Sequence, residues 1–175
     1  MRRLLQRTFV LSRPKRSLHD AFLDAVNLHG RGRDSVEDVS GAHLTYGGVL
    51  KGSLALGRLV SKLSRENEVV GVLMPNAAAT LALTLGMFGV RRIPAMLNFT
   101  AGVDGLQSAI TAGQIKTILT SRTFLDRGKL HPVVERLKDV QIVYLEDLRA
   151  RLSIADKLWL IFFALRFPRA ATLRS

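Results

Sequence analysis

The chain has 175 residues, of which 26 are basic and 14 acidic, so its formal net charge is +12. Hydrophobic residues make up 47% and charged residues 23%, a composition that excludes a disordered basic tail. Because the sequence contains no cysteine, disulfide scaffolds and thiolate metal sites are also excluded. The length fits one ordinary domain or a piece of a larger chain.

The positive charge is concentrated at the two ends. Residues 1–19 carry six basic residues and no acid, and residues 157–175 carry four and no acid. The span 20–156 holds 16 basic and 14 acidic residues, a net charge of only +2. Nucleic-acid-binding domains concentrate Lys and Arg along one face of the fold, with aromatic residues added for single strands. The distribution therefore disfavours a nucleic-acid partner.

Residues 1–16 form a basic segment with two interpretations. Its arginines and its lack of acidic residues imitate an organellar transit peptide, although it has little serine and is interrupted by Pro14. The other interpretation is a junction, either a linker or the end of a preceding domain.

Two helices and a short strand are predicted before residue 65. Ser17 and Asp20 nearly match a capping box, and apolar residues then recur at helical spacing until Gly30 supplies a C-cap. Residues 36–39 alternate like a half-buried strand. Thr45 is expected to cap a second helix, whose apolar face runs over 49–63 and whose glycines would allow close approach to a neighbouring element.

From residue 69 onward, strands and helices alternate. Strands are predicted at 69–74, 93–97, 116–120 and 141–145, and helices at 77–90, 103–113 and 132–138. This spacing indicates successive βα units, hence an α/β fold with a parallel sheet of about four core strands and helices on both faces. Pro94 favours an edge strand or the start of a strand. The helix at 77–90 is apolar nearly all round, which predicts that it is buried.

After residue 152 the alternation stops, and residues 153–167 form a separate segment. Residues 158–165 are eight consecutive apolar residues between Lys157 and Arg166, too few to cross a bilayer. Two interpretations stay open: a helix packed against a partner surface, or a helix lying in a membrane interface.

The chain lacks the usual phosphate-binding glycine motifs and the Gly-x-Ser-x-Gly nucleophile motif. His19 and Asp24 have the His-x-x-x-x-Asp spacing of glycerolipid acyltransferases. On a helix, however, positions five apart are rotated by about 140°, so the side chains would not converge. We therefore interpret both residues as solvated or capping positions. His29 and His131 have no carboxylate or serine at a suggestive spacing, which predicts structural roles.

Asparagines follow two of the predicted strands, at the edge where open α/β sheets bind ligands. Asn76 is expected to cap the next helix. For the loop 98–102, helix capping and ligand contact are equally supported, so Asn98, Thr100 and Gly102 are the candidate substrate-binding residues. No catalytic or metal-binding residue is assigned.

Several stretches resemble adenylate-forming enzymes, namely acyl-CoA synthetases and their relatives. They are Leu44-Thr45-Tyr46, residues 69–76 (VVGVLMPN) and the later βα units. Residues 91–102 (RRIPAMLNFTAG), together with matching stretches over 108–130 and 143–148, are more similar to one branch, the bacterial bifunctional acyl-ACP synthetase/2-acylglycerophosphoethanolamine acyltransferases. The resemblance covers 13–169.

The resemblance implies a domain organisation. Residues 1–16 would be the end of an acyltransferase domain or its junction, and 17–152 an α/β subdomain of the large N-terminal adenylating domain. Residues 153–175 would be an apolar helix and a basic tail leading to an ATP loop beyond the chain. His19 and Asp24 would fall in the first helix of the adenylating domain, outside the acyltransferase motif.

The implied activity belongs to the longer enzyme. With ATP and Mg²⁺, a fatty acid would become an acyl-adenylate, and the acyl group would pass to acyl carrier protein and then to a lysophospholipid. The 175-residue chain alone is expected to be inactive and to hold no cofactor.

The implied partners are the rest of the adenylating domain and an acyltransferase domain, at the cytoplasmic face of the bacterial inner membrane. An anionic membrane surface and a homodimer of the chain are further expectations. The rival hypotheses are a stand-alone α/β binding or interaction module and a membrane-surface adaptor.

Overall fold

The computed structural model describes residues 17–38, 41 and 43–173. The basic segment predicted at 1–16 and the last two residues lie outside this range. The helices are α1 Leu18–His29, α2 Tyr46–Ser61, α3 Ala78–Gly89, α4 Gly102–Ala112, α5 Arg122–Gly128, α6 His131–Val134, α7 Leu145–Ala150, α8 Ile154–Trp159 and α9 Pro168–Leu173. The strands are β1 Asp34–Glu37, β2 His43–Thr45, β3 Val69–Val72, β4 Ile93–Met96, β5 Thr117–Thr120 and β6 Gln141–Tyr144. A 3₁₀ turn covers Phe99–Ala101, and a π-helical turn covers Leu160–Ala164.

The main sheet confirms the predicted α/β fold. Its four strands are parallel and lie in the order β4-β3-β5-β6, with Gly71 of β3 opposite Ala95 on one side and Ile118 on the other. Pro94 lies on the edge strand β4, where a missing N–H removes no ladder bond to a further strand. β3 ends at Val72 rather than at Met74, although Leu73 and Met74 remain buried.

Helices cover both faces of this sheet, as predicted. One face carries α2, α3 and α7, whose apolar side chains meet Val70, Val72 and Leu119. The other carries α4, α5 and α6, whose core residues include Leu106, Ile110, Leu125 and Val134. An outer layer consists of α1 and the segment from α8 to α9, and it packs against α2 through Leu50 and Leu54.

The N-terminal elements confirm the predicted caps, but the structure corrects the prediction for His19 of α1. Ser17 Oγ accepts a hydrogen bond from the Asp20 N–H at 3.1 Å, and Gly30 ends the helix with φ 81°. The buried positions are His19, Leu23 and Val26, whereas Leu18 is exposed. His19 was expected to be solvated or capping and lies instead in the core, because α1 turns this stripe toward α3.

The strand predicted at 36–39 begins two residues earlier than expected. β1 pairs antiparallel with β2, a strand that the sequence patterns did not predict, and Val36 lies opposite Leu44. Val39 lies outside the described residues. β2 leads directly into α2, and the predicted cap is confirmed because Thr45 Oγ1 accepts the Gly48 N–H at 3.1 Å.

The region between β5 and β6 also differs from the prediction. A helix was expected over 132–138, but α6 ends at Val134 and the chain continues in a turn. α5 was not predicted. It is capped by Ser121 and ends at Gly128, and the left-handed conformation of the next residue, Lys129 (φ 52°), turns the chain toward α6.

The helices α2 and α3 cross at very close range, and both are mostly buried. A Cβ atom added at Gly57 would lie 2.8 Å from the Gly86 carbonyl oxygen, and one added at Gly86 would overlap the Ser53 carbonyl oxygen. Thr80 and Thr84, the polar residues of α3, satisfy their hydroxyls by donating to backbone carbonyls of Pro75 and Thr80. The glycines thus permit the close approach that the sequence suggested.

The C-terminal segment presents one apolar side to the core and another to solvent. Leu160 and Ala164 are buried against α1 and α2, whereas Ile161 and Phe162 are exposed. Within the described part of the chain, no helix combines the length and the hydropathy that a membrane crossing requires.

We expect Gly86→Ala to destabilise the fold by about 3 kcal/mol or more, because its Cβ meets backbone atoms of α2 that cannot move independently. Urea unfolding followed by circular dichroism measures the change. Gly48→Ala in α2 is the matched control, since its Cβ finds only ordinary contacts of 3.5 Å or more. Equal stability of the two variants would contradict the proposed tight crossing.

Candidate functional site

The carboxyl ends of the four parallel strands lie along one edge of the sheet. The loops after β3 and β4 carry Asn76 and Asn98, and Ser121 follows β5 directly. Glu146 lies in the first turn of α7, which begins at the end of β6. In open α/β folds this edge is where ligands bind, so it is the candidate site.

The loop after β4 contains the candidate substrate-binding residues, and its geometry is that of a cap. Asn98 Oδ1 accepts hydrogen bonds from the Thr100 N–H at 3.0 Å and from Thr100 Oγ1 at 2.8 Å. Gly102 starts α4 with φ 69°, a conformation that favours glycine. Asn98 and Thr100 are both exposed at the sheet edge. Capping by Asn98 is therefore observed, while ligand contact by the loop stays a prediction.

Asn76 does not cap α3, which corrects the expectation from the sequence. The N-cap position is Ala77, which offers no side-chain hydrogen bond. The Ala78 N–H instead donates to Asp38 Oδ2 at 3.3 Å, so a carboxylate just after β1 takes the capping role. Local sequence patterns could not reveal that Asp38 caps α3, because Asp38 lies 40 positions before Ala78.

An open cleft of about 550 Å³ lies where β1, the start of α3 and the end of β4 meet. Its walls include Val36, Ala77, Leu81 and Met96, and Asp38 and Asn76 add polar groups. Leu81 and Met96 are exposed there. Glu37, Thr80 and Thr84 also line the cleft, so it offers both apolar and polar surface to a ligand that has an apolar part.

Polar side chains join the start of α5, which follows β5, to the start of α7, which follows β6. Ser121 Oγ donates to Glu146 Oε1 at 2.7 Å, and Arg122 binds both carboxylate oxygens of Asp147 at 2.6 and 2.7 Å. The Arg122 guanidinium also lies 4.1 Å from the centre of the Tyr144 ring. Burial opposes ionisation of Glu146, yet the Ser121 hydroxyl and backbone N–H groups lower its pKa. Glu146 is thus held as a structural anion.

The histidines form no catalytic group with a nucleophile among the described contacts. His19 Nδ1 lies 3.0 Å from the Leu85 carbonyl oxygen, whereas Asp24 pairs with Arg169, so the two residues of the acyltransferase-like spacing do not meet. His29 stacks on Tyr46 with ring centres 5.3 Å apart.

His131 corrects the expectation that it lacks a carboxylate. Its Nε2 lies 2.7 Å from Asp126 Oδ1, because the turn at Lys129 brings the start of α6 back to α5. Both side chains are exposed, at 41% and 68%.

Within the residues that the structure describes, no three carboxylate, imidazole or thiolate side chains are grouped to hold a metal ion. The sheet edge also carries no glycine-rich phosphate loop. The described residues therefore do not by themselves fit ATP and Mg²⁺.

The architecture has close counterparts among solved structures. VinN superposes with a TM-score of 0.65 and 23% identity, over 77% of this chain and 34% of VinN. The N-terminal domain of FACL13 from Mycobacterium tuberculosis gives 0.66 and 14% identity, over 77% and 36% of the two chains. The Klebsiella oxytoca NpsA N-terminal subdomain gives 0.63 and 10% identity, over 77% and 32%. The chain has the fold of the N-terminal subdomain of adenylate-forming enzymes.

A curated relative is the 4-coumarate–CoA ligase-like 1 protein of Arabidopsis thaliana. It is 27% identical to this chain over 116 residues, which is 66% of this chain. The chain spans about a fifth of that relative, 21% of its length, and about a third of the solved structures. No family model matches the chain.

The buried His19 makes the stability depend on pH. Burial lowers the pKa of its imidazole, so below about pH 6.5 the unfolded chain takes up a proton that the folded chain does not. The contribution of His19 to the free energy of unfolding is therefore complete above that pH. It falls as the pH drops, by at most about 1.4 kcal/mol per pH unit.

Urea unfolding at pH 7.5 and pH 5.0 tests this. We expect His19→Gln to reduce the loss of stability between the two pH values, because it removes the buried imidazole. The charged groups that face this position, Asp20 and Arg169, remain in the variant. His29→Gln, at an exposed ring on the same helix, is the control and should behave as the wild type. An unchanged pH dependence in His19→Gln would contradict the prediction.

Proposed function

We propose that this chain is the N-terminal subdomain of the synthetase half of an acyl-ACP synthetase/lysophospholipid acyltransferase. In the complete protein, ATP and a fatty acid give an acyl-adenylate and pyrophosphate. The acyl group then passes to the thiol of acyl carrier protein, with release of AMP, and from that thioester to the free hydroxyl of 2-acylglycerophosphoethanolamine, with release of the carrier protein. Because the chain spans only part of its relatives, the activity belongs to the longer protein.

The observation that carries the proposal is the match of the α/β unit to N-terminal domains of adenylate-forming enzymes over about three quarters of the chain. The identity with a CoA ligase-like protein supports the same reaction class. The N-terminal subdomain of NpsA has been solved in complex with 3-hydroxybenzoyl-AMSN. These similarities support activation of a carboxylic acid in general.

The choice of a fatty acid rests on two further features. Residues 91–130 resemble the acyl-ACP synthetase branch, and the cleft beside α3 has walls formed by Val36, Leu81 and Met96. Such walls suit an alkyl chain. The described residues supply no acidic or imidazole cluster for a metal ion, so the ATP and Mg²⁺ sites would lie elsewhere in the complete protein.

Acid-dependent ATP–pyrophosphate exchange by the natural full-length protein tests the proposal. We expect exchange with a long-chain fatty acid and none above background with 4-coumarate or aspartate. Transfer to acyl carrier protein and to the lysophospholipid should follow. Exchange with 4-coumarate alone would overturn the fatty-acid assignment, and no exchange with any carboxylic acid would overturn the ligase assignment as well.

The 175-residue chain assayed alone should show no exchange above background, because the described sheet edge has no phosphate loop and no metal cluster. Activity of the isolated chain would mean that the nucleotide site lies within it.

In the same full-length protein, Asn98→Ala tests the role of the loop after β4. If the loop contacts substrate, loss of one hydrogen bond should reduce exchange about tenfold at low acid concentration. Ser108→Ala, whose hydroxyl bonds only the Asp104 carbonyl of its own helix, is the control. If the exchange rate is unchanged while the melting temperature falls, Asn98 caps the turn after β4 and does not contact the substrate.

A further inference from the structure

The C-terminal segment carries an exposed apolar stripe on one helical face. It consists of Ile154, Leu158, Ile161, Phe162 and, after the π-helical turn, Phe167. All five side chains are at least half exposed, and Phe162 is 72% exposed. The first four recur at intervals of four, three and one residues, which is the spacing of one side of a helix. We call this set the apolar stripe.

The outward direction of the stripe is fixed by the opposite side of the same segment. Asp156 is buried and accepts hydrogen bonds from Arg58 Nε of α2 at 3.1 Å and from Nζ of Lys62, the residue after the end of α2, at 2.7 Å. Lys62, with Ser153 and Arg58, holds the pKa of Asp156 well below its usual range, so this anchor is ionised.

Packing completes this attachment. The Arg58 guanidinium also lies 4.5 Å from the centre of the Trp159 ring, and Leu160 and Ala164 are buried in the core. The segment therefore cannot turn the apolar stripe inward without breaking a buried ion pair.

Cations border the apolar stripe. Two clefts, of about 380 and 640 Å³, share Arg31, Arg166 and Phe167 as walls, so they adjoin at these residues. Arg31 Nη2 donates to the Leu165 carbonyl oxygen at 2.5 Å, which holds its guanidinium beside the segment. Lys157 is exposed next to Leu158.

The acidic groups near this surface are already paired. Asp20 and Asp24 of α1 face Arg169, and no acid occurs from residue 157 to residue 173. Among the described residues, Arg31 and Arg166 form no ion pair with a carboxylate. The surface thus combines large apolar side chains with unpaired positive charge.

We propose that the apolar stripe docks the protein onto an anionic phospholipid bilayer, with Arg31 and Arg166 holding a lipid phosphate. An interfacial helix buries its apolar side at the level of the headgroups and keeps cations at the charged surface. A second copy of the chain is a poorer occupant. In a two-fold dimer the same patch faces itself, so Arg31, Lys157 and Arg166 would meet like charges.

This docking surface goes beyond the proposed ligase activity and does not depend on it. The apolar stripe belongs to the outer layer, and the sheet edge that forms the candidate site lies in other loops. Vesicle binding and pyrophosphate exchange are separate measurements, so either proposal can fail alone.

Vesicle sedimentation of the 175-residue chain tests the proposal. The vesicles are phosphatidylcholine alone, or phosphatidylcholine with about 30% phosphatidylglycerol, at about 0.15 M salt, so that exposed charges are screened. We expect binding to the anionic vesicles only.

The double variant Ile161→Ser/Phe162→Ser should lower the partition coefficient at least about tenfold, because two apolar side chains no longer enter the interface. Arg166→Gln should lower it about fivefold, as expected for one cation at an anionic surface. The five side chains substituted here and in the controls are all exposed, so circular dichroism should show unchanged folding.

The control variants remove side chains of the same chemical type from other parts of the protein surface. Leu28→Ser removes an apolar side chain that is 78% exposed on α1, and Arg127→Gln removes an exposed cation on α5, across the sheet. Both should bind within about twofold of the wild type.

The double variant is decisive because it changes no charge. Residues 1–16 carry six basic residues that can attract anionic vesicles by themselves. If the double variant binds as tightly as the wild type, those cations account for binding and the proposal is wrong. Absence of binding by the wild type also overturns it, as does a wild-type dimer that the double variant dissociates without any vesicle binding.

Discussion

The close crossing of α2 and α3 is the constraint on which the rest of this structure depends. Gly57 and Gly86 let the two backbones touch, which places Leu59, Val60, Leu83 and Met87 together on one face of the sheet. Because α3 connects β3 to the edge strand β4, its position also sets where the cleft at the sheet edge opens. Larger side chains at the crossing would separate the helices and expose this core.

Two buried polar groups attach the outer layer to this core. His19 of α1 meets the Leu85 carbonyl of α3, and Asp156 of α8 meets Arg58 of α2 and Lys62, which follows α2. Each contact joins residues more than 60 positions apart, and each is specific in geometry because an unpaired buried polar group is costly. The same contacts decide which side of the C-terminal segment faces solvent.

At the sheet edge, the polar side chains mainly hold the loops in place. Asn98 caps the turn after β4, Asp38 caps α3, and the Ser121–Glu146 pair joins the starts of α5 and α7. Local capping of this kind leaves the loops ordered at the edge where open α/β sheets receive ligands. The fold is that of the N-terminal subdomain of adenylate-forming enzymes, the family that the sequence resembles.

The amino-acid sequence alone was enough to establish the α/β class, the four parallel strands, the buried α3 and the caps at Ser17 and Thr45, because these follow from periodicity and from residues three or four positions apart. It also determined that the His19–Asp24 spacing is no catalytic pair, since helix geometry separates the two side chains. The folded structure was needed to reveal four features: the burial of His19, the capping of α3 by Asp38, the His131–Asp126 contact and the outward direction of the apolar stripe. Each of these depends on which distant residue the fold brings near, and no local pattern encodes that.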